Sequence, residues 1–111
     1  HQFRNWRRNR YRRTALKQLD RVRELTPGAR TATEIAVLLK QTALATWPRA
    51  EVASLSGKAW AGFLVKTGAS DEAAQRLSHI AYASRPLSDG ELLRLFSDAE
   101  DWIRRHQQGT A

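Results

Sequence analysis

Apolar positions along this chain recur at three- and four-residue intervals almost throughout, the spacing of one helix face, while alternating strand-type runs are scarce. Tyr11, Ala15, Leu16, Leu19, Val22 and Leu25 line a first helix that runs from near the start to Leu25, where Thr26-Pro27-Gly28 breaks it. A second helix opens on the capping-box spacing Thr31-x-x-Glu34 and turns Ile35, Leu38, Leu39, Thr42 and Ala45 inward. It stops at Trp47-Pro48, because a residue before proline is driven out of the α region. Pro48 starts a short helical turn through Ala53, with its missing N–H harmless at the first position, and Leu55-Ser56-Gly57 interrupts it. A fourth helix from Gly57 to Thr67 presents Trp60, Phe63 and Leu64, and Gly68 closes it. The fifth follows Ser70-Asp71-Glu72, whose carboxylates suit a helix N-terminus; it buries Leu77, Ile80 and Ala81 and ends at Arg85-Pro86. The sixth opens on Ser88-x-x-Glu91 and carries the cleanest stripe: Leu92, Leu95, Phe96, Ala99, Trp102 and Ile103, then Arg104-Arg105-His106 at the negative end of its dipole. The pattern predicts an all-α fold, a compact bundle of five to six helices with a long basic N-terminal helix. Residues 1–13 are expected to form a basic segment that begins the first helix, residues 14–106 the helical domain, and residues 107–111 a frayed tail.

Composition reinforces the helical reading: only four of the 111 residues are Val and three are Ile. That length suits one domain with one core. The absence of cysteine removes disulfides, thiolate metal ligands and thiol catalysis. Charge changes the picture more. The formal net charge is +8, and Arg4, Arg7, Arg8, Arg10, Arg12 and Arg13 place six cations and no acid in the first thirteen residues. The remaining thirteen basic and eleven acidic residues nearly balance, so the basicity belongs to one end. Such an end points to phosphate-rich partners, a nucleic acid or an anionic membrane surface. No apolar run approaches the roughly 18 residues of a membrane span.

Candidate chemistry is sparse. His1, His79 and His106 have no near-neighbour ligand pattern, and His79 reads as a surface histidine. Asp98 and Asp101 share a helix face, but Asp101 stands four residues before Arg105 and reads as half of an exposed helix pair. Ser54-Leu55-Ser56-Gly57 lacks the nucleophile-elbow frame, and Ser56 reads as a helix N-cap. No phosphate loop or dinucleotide fingerprint occurs, so neither an enzyme nor a cofactor site is expected. The stretch from Glu51 to Phe63 has helix-turn-helix spacing, with Ala53, Gly57 and Phe63 in register. Its second helix, Lys58-Ala59-Trp60-Ala61-Gly62-Phe63-Leu64-Val65-Lys66, offers almost nothing to read base edges with. Charge-driven phosphate binding by the arginine arm remains the alternative.

Phe3, Trp6 and Tyr11 interleave with the arginines. Aromatic rings among cations suit stacking on unpaired bases, and they equally suit the bilayer boundary, where cytoplasmic arginine fixes topology. The chain contains no Met and starts at His1. A piece of a longer protein, beginning just behind a transmembrane span, is therefore expected. On that reading Phe3, Arg4, Trp6, Arg7, Arg8, Arg10, Tyr11, Arg12 and Arg13 meet the membrane surface.

The middle segment, Trp47-Pro48-Arg49-Ala50-Glu51-Val52-Ala53-Ser54-Leu55-Ser56-Gly57-Lys58-Ala59-Trp60-Ala61-Gly62-Phe63-Leu64, resembles a bacterial domain-of-unknown-function family. Its pattern is aromatic-Pro-Arg, then Val-Ala-Ser-Leu-Ser/Thr-Gly, then Ala-Trp and Phe-Leu; Trp47 stands where Tyr is commoner. The stretch from Trp6 to Arg13 is similar to the segment that follows the family's single N-terminal transmembrane helix. The family's genes neighbour those of MoxR-type AAA+ ATPases and von Willebrand factor A-domain proteins of the Bat aerotolerance type. The resemblance implies a single-pass inner-membrane protein with a cytoplasmic helical domain and supplies neighbours rather than a reaction; the expected function is an adaptor for those partners, with nucleotide chemistry left to the ATPase. Within the segment, Trp47, Pro48, Leu55, Gly57, Trp60 and Phe63 are expected to pin an irregular turn into the core. Arg49, Glu51 and Lys58 project from that turn as a candidate docking surface.

Overall fold

The computed structural model describes residues 2–24, 29–80 and 87–105, with side chains described from residue 9 in the first stretch and residue 30 in the second. Six helices fill them: α1 (Gln2–Glu24), α2 (Ala29–Thr46), α3 (Arg49–Val52), α4 (Gly57–Lys66), α5 (Asp71–His79) and α6 (Asp89–Arg105). No strand occurs among the described residues, and the all-α bundle with a long basic first helix is what the chain forms. The first helix break at 25–28, Ala81, the Arg85-Pro86 stop, His106 and the tail at 107–111 lie outside the described residues.

Each helix boundary has a local cause. At α6 the capping box closes in both directions: the Ser88 amide donates to Glu91 Oε1 at 2.9 Å, and the Glu91 amide donates to Ser88 Oγ at 3.1 Å. Ser70 caps α5 by accepting the Ala73 amide at 3.1 Å. Ser56 occupies the N-cap of α4 but makes no side-chain cap; its carbonyl instead accepts from Ala59 and Trp60. Gly57 follows with φ +53°, a left-handed conformation that glycine adopts without steric cost. At the other end of α4 the Ala69 amide reaches back to the Leu64 carbonyl and the Gly68 amide to that of Val65, the paired bonds of a Schellman ending. Pro48 is the cap of α3 rather than its first helical residue.

Two expectations about α2 need correcting. The helix begins at Ala29, so Thr31 is a buried residue of the first turn and not its cap. Ala43 rather than Ala45 faces inward, because position 43 lies one turn beyond Leu39 while position 45 has rotated to the solvent side. Thr42 is buried as expected, its hydroxyl donating to the Leu38 carbonyl at 2.8 Å.

Leu19 of α1, Ile35 and Leu39 of α2, Val52 of α3, Leu64 of α4, Leu77 of α5, and Trp102 and Ile103 of α6 are the largest of the fully buried side chains. α6 lies at the centre, packed on α1, α2 and α5, while α1 pairs with α2 and α4 with α5. All six residues of its predicted stripe are buried. Arg23 joins α1 to α6, donating to Glu100 at 2.7 Å while its guanidinium lies 5.4 Å from the Phe96 ring centroid.

Candidate functional site

The middle segment builds a ladder of rings across the bundle. Trp60 and Phe63, one turn apart on α4, stack with centroids 5.6 Å apart. Trp47, at the end of α2, meets Phe63 edge-on at 5.1 Å and lies over Trp102 of α6 at 6.2 Å. The Trp102 indole N–H donates to Thr67 Oγ1 at 2.8 Å, tying the end of α4 to α6. Trp47 and Trp60 are buried, Leu55 and Phe63 are partly buried against the core, and Pro48 is exposed at the start of α3. Gly57 is required by its backbone, not by crowding: a Cβ there would meet nothing within 4 Å.

Lys40 of α2 completes the ladder at its open end, and the sequence pattern did not single it out. Its half-buried ammonium donates to the Leu55 carbonyl and lies 4.2 Å from the Trp60 ring centroid. Burial lowers its pKa from the ordinary lysine value, and no opposing charge offsets that burial. Beside it a groove of about 320 Å³ runs between α2, the α3–α4 connection and α5.

A second cleft, of about 330 Å³, lies between α5 and α6 over Trp102. The buried Asp98 carboxylate accepts two hydrogen bonds from Arg76, at 2.7 Å from Nε and 3.0 Å from Nη2. That hydrogen bond raises the Arg76 pKa above its ordinary value against the opposing effect of burial. The expected Asp101–Arg105 pair is not among the ion pairs of the described residues; Arg104 instead pairs with Glu100 at 3.2 Å. Asp98 thus belongs to the core rather than to a solvated face. The buried charge of Asp98 is compensated within the protein by Arg76, whereas no carboxylate pairs with Lys40 among the described residues.

The three residues suggested for docking, Arg49, Glu51 and Lys58, are all exposed, and no hydrogen bond or ion pair joins them. On the arm, Arg10 and Arg13 are exposed and Tyr11 and Arg12 half-buried. The backbone at Phe3, Arg4, Trp6, Arg7 and Arg8 is helical, and their side chains lie outside the described residues. Among the described side chains of α1 the first buried one is Ala15, and the helical backbone runs from Gln2 through it without a break. His79 is exposed, with Nδ1 2.7 Å from the Gln75 carbonyl oxygen. No group of three or more His, Cys, Asp or Glu residues among the described residues is arranged to hold a metal ion. No helix among them is long and apolar enough to cross a membrane.

Residues 1–105 match the family described as Domain of unknown function (DUF4381), and the chain belongs to that family. No curated protein and no solved structure matches it.

Proposed function

We propose that this chain is the cytoplasmic domain of a membrane-anchored adaptor at the bacterial inner membrane, working with a MoxR-type AAA+ ATPase and von Willebrand factor A-domain partners. The observation that carries the reading is the continuity of α1, whose arginine-rich first half runs directly into the helix that anchors the core. A stiff basic helix of this kind transmits position: what holds its first turns also fixes the orientation of the bundle. The nearly balanced body offers binding surfaces, and the reading leaves nucleotide chemistry to the partner.

The test is affinity capture of the full-length parent protein from solubilised membranes. The ATPase and an A-domain protein are expected in the eluate, and their absence removes the adaptor's main content. A polar sequence upstream of His1 in the parent gene, in place of roughly 20 apolar residues, would remove its anchor.

A further inference from the structure

The groove between α2, the α3–α4 connection and α5 combines three features that point to one kind of occupant. Its walls are largely apolar: Val37 is 45% exposed at its rim, and Leu55, Trp60 and Leu77 line it. Space is open at Gly57, where a side chain atom would touch nothing within 4 Å. Its charge is a single ammonium, that of Lys40, held by a carbonyl and a ring but by no carboxylate. Neither Glu34 nor Glu51, the acids nearest to it along the chain, pairs with it.

The energetics of that ammonium select the ligand. Covering it with a wholly apolar surface would strip its remaining water without replacement, and a second cation would be repelled. A carboxylate brought in beside an apolar side chain supplies the missing counter-charge and fills the open space together. We infer that this groove docks an apolar segment of a partner protein through one acidic side chain, with its carboxylate on Lys40 and its neighbouring aliphatic or aromatic side chain over Val37 and Gly57. The inference rests on the adaptor reading and names the chemistry of one of its surfaces.

The test is selection of a displayed library of random twelve-residue peptides on the intact protein. Enriched peptides are expected to carry Asp or Glu next to aliphatic or aromatic residues. Replacing that acid by its amide should weaken binding at least tenfold, and K40M should do the same. Because Lys40 also braces the α3–α4 connection, the exposed Val37→Asp change supplies a variant that keeps the fold: it should abolish binding while the far-UV circular dichroism spectrum and melting temperature stay unchanged. No enrichment, enrichment without acids, or equal binding by V37D would overturn the inference. The two readings fail separately. V37D that still captures the ATPase and A-domain protein refutes the groove alone, whereas wild-type protein that selects acidic-apolar peptides but captures neither refutes the adaptor alone.

Discussion

At the scale of single residues, Asp98 is a polar group placed where the apolar pattern of α6 would put a hydrophobe. Asp98 lies one turn from Leu95 and from Trp102 on the buried side of α6, and its side chain is 8% exposed against 37% for Arg76. Removing the arginine leaves a buried carboxylate unpaired, so Arg76→Ala should cost about 2 kcal/mol in urea unfolding, below the full buried-pair value because Arg76 is partly solvated. Replacing both residues by leucine should recover most of that loss. Equal destabilisation by the single and double variants would mean that packing, not the unpaired charge, sets the cost. The pairing spans 22 positions, which is why helix-local reasoning placed Asp98 on a face with Asp101 and found no partner for it; a carboxylate inside an apolar stripe was the available signal. Glu100 carries the acid-side sensitivity. Hydrogen bonds from Arg23 and then Arg104 lower its pKa from the ordinary glutamate value against a smaller opposing effect of burial. A depressed carboxylate contributes stability above its unfolded pKa and loses it as pH falls through the folded one. Stability should therefore decline on acidification below the ordinary glutamate range, and E100Q should flatten that decline; equal slopes in the two proteins would exclude Glu100 as a source.

At the scale of elements, the sequence was most legible where a boundary is written in a few adjacent residues. Ser88 with Glu91 and Gly68 after α4 act locally, so spacing alone identifies them, while Ser70 caps α5, which begins two residues before the start expected from the acidic pair. The start of α2 was less legible because Thr31 has a capping residue's identity inside an already formed helix, where burial among neighbours decides its role. The ring ladder was half legible: Trp47, Trp60 and Phe63 stood out, but Lys40 and Thr67 join it through contacts that no helical period encodes. Two glycines separate backbone from space. Gly57 has φ +53° with room for a Cβ, so Gly57→Ala should cost about 1 kcal/mol, the steric cost of the left-handed region. Gly68 has φ +134°, and a Cβ there would stand 3.3 Å from the Arg105 carbonyl oxygen, so Gly68→Ala meets both strain and the end of α6. Thermal or urea denaturation should rank G68A below G57A in stability. The reverse order would show that the end of α6 yields easily and that Gly68 is required only by the turn.

At the scale of the whole molecule, the charge is divided between an arm and a body. From Gln2 to Arg13 the arm spans about 18 Å of helix and holds six of the eight net charges. An anionic bilayer and a nucleic acid both attract such an arm, and the aromatic residues separate them. Rings at a bilayer boundary leave water for the headgroup region, while Arg near an anionic surface contributes about 1 kcal/mol each. Trp47, Trp60 and Trp102 are at most 8% exposed inside the bundle. A change in tryptophan emission on binding should therefore report Trp6. Phosphatidylglycerol-containing vesicles are expected to bind the chain, shift its emission to the blue and protect it from iodide quenching, effects that Trp6→Phe removes. Pure phosphatidylcholine vesicles should bind far less. Replacing Arg7, Arg10 and Arg13 by Gln removes three of the arm's six cations, and should weaken partitioning to the anionic vesicles by more than tenfold. If a DNA duplex at the same salt binds more tightly than those vesicles, and loses that binding in the same triple variant, the arm is a nucleic-acid contact and the membrane reading gives way.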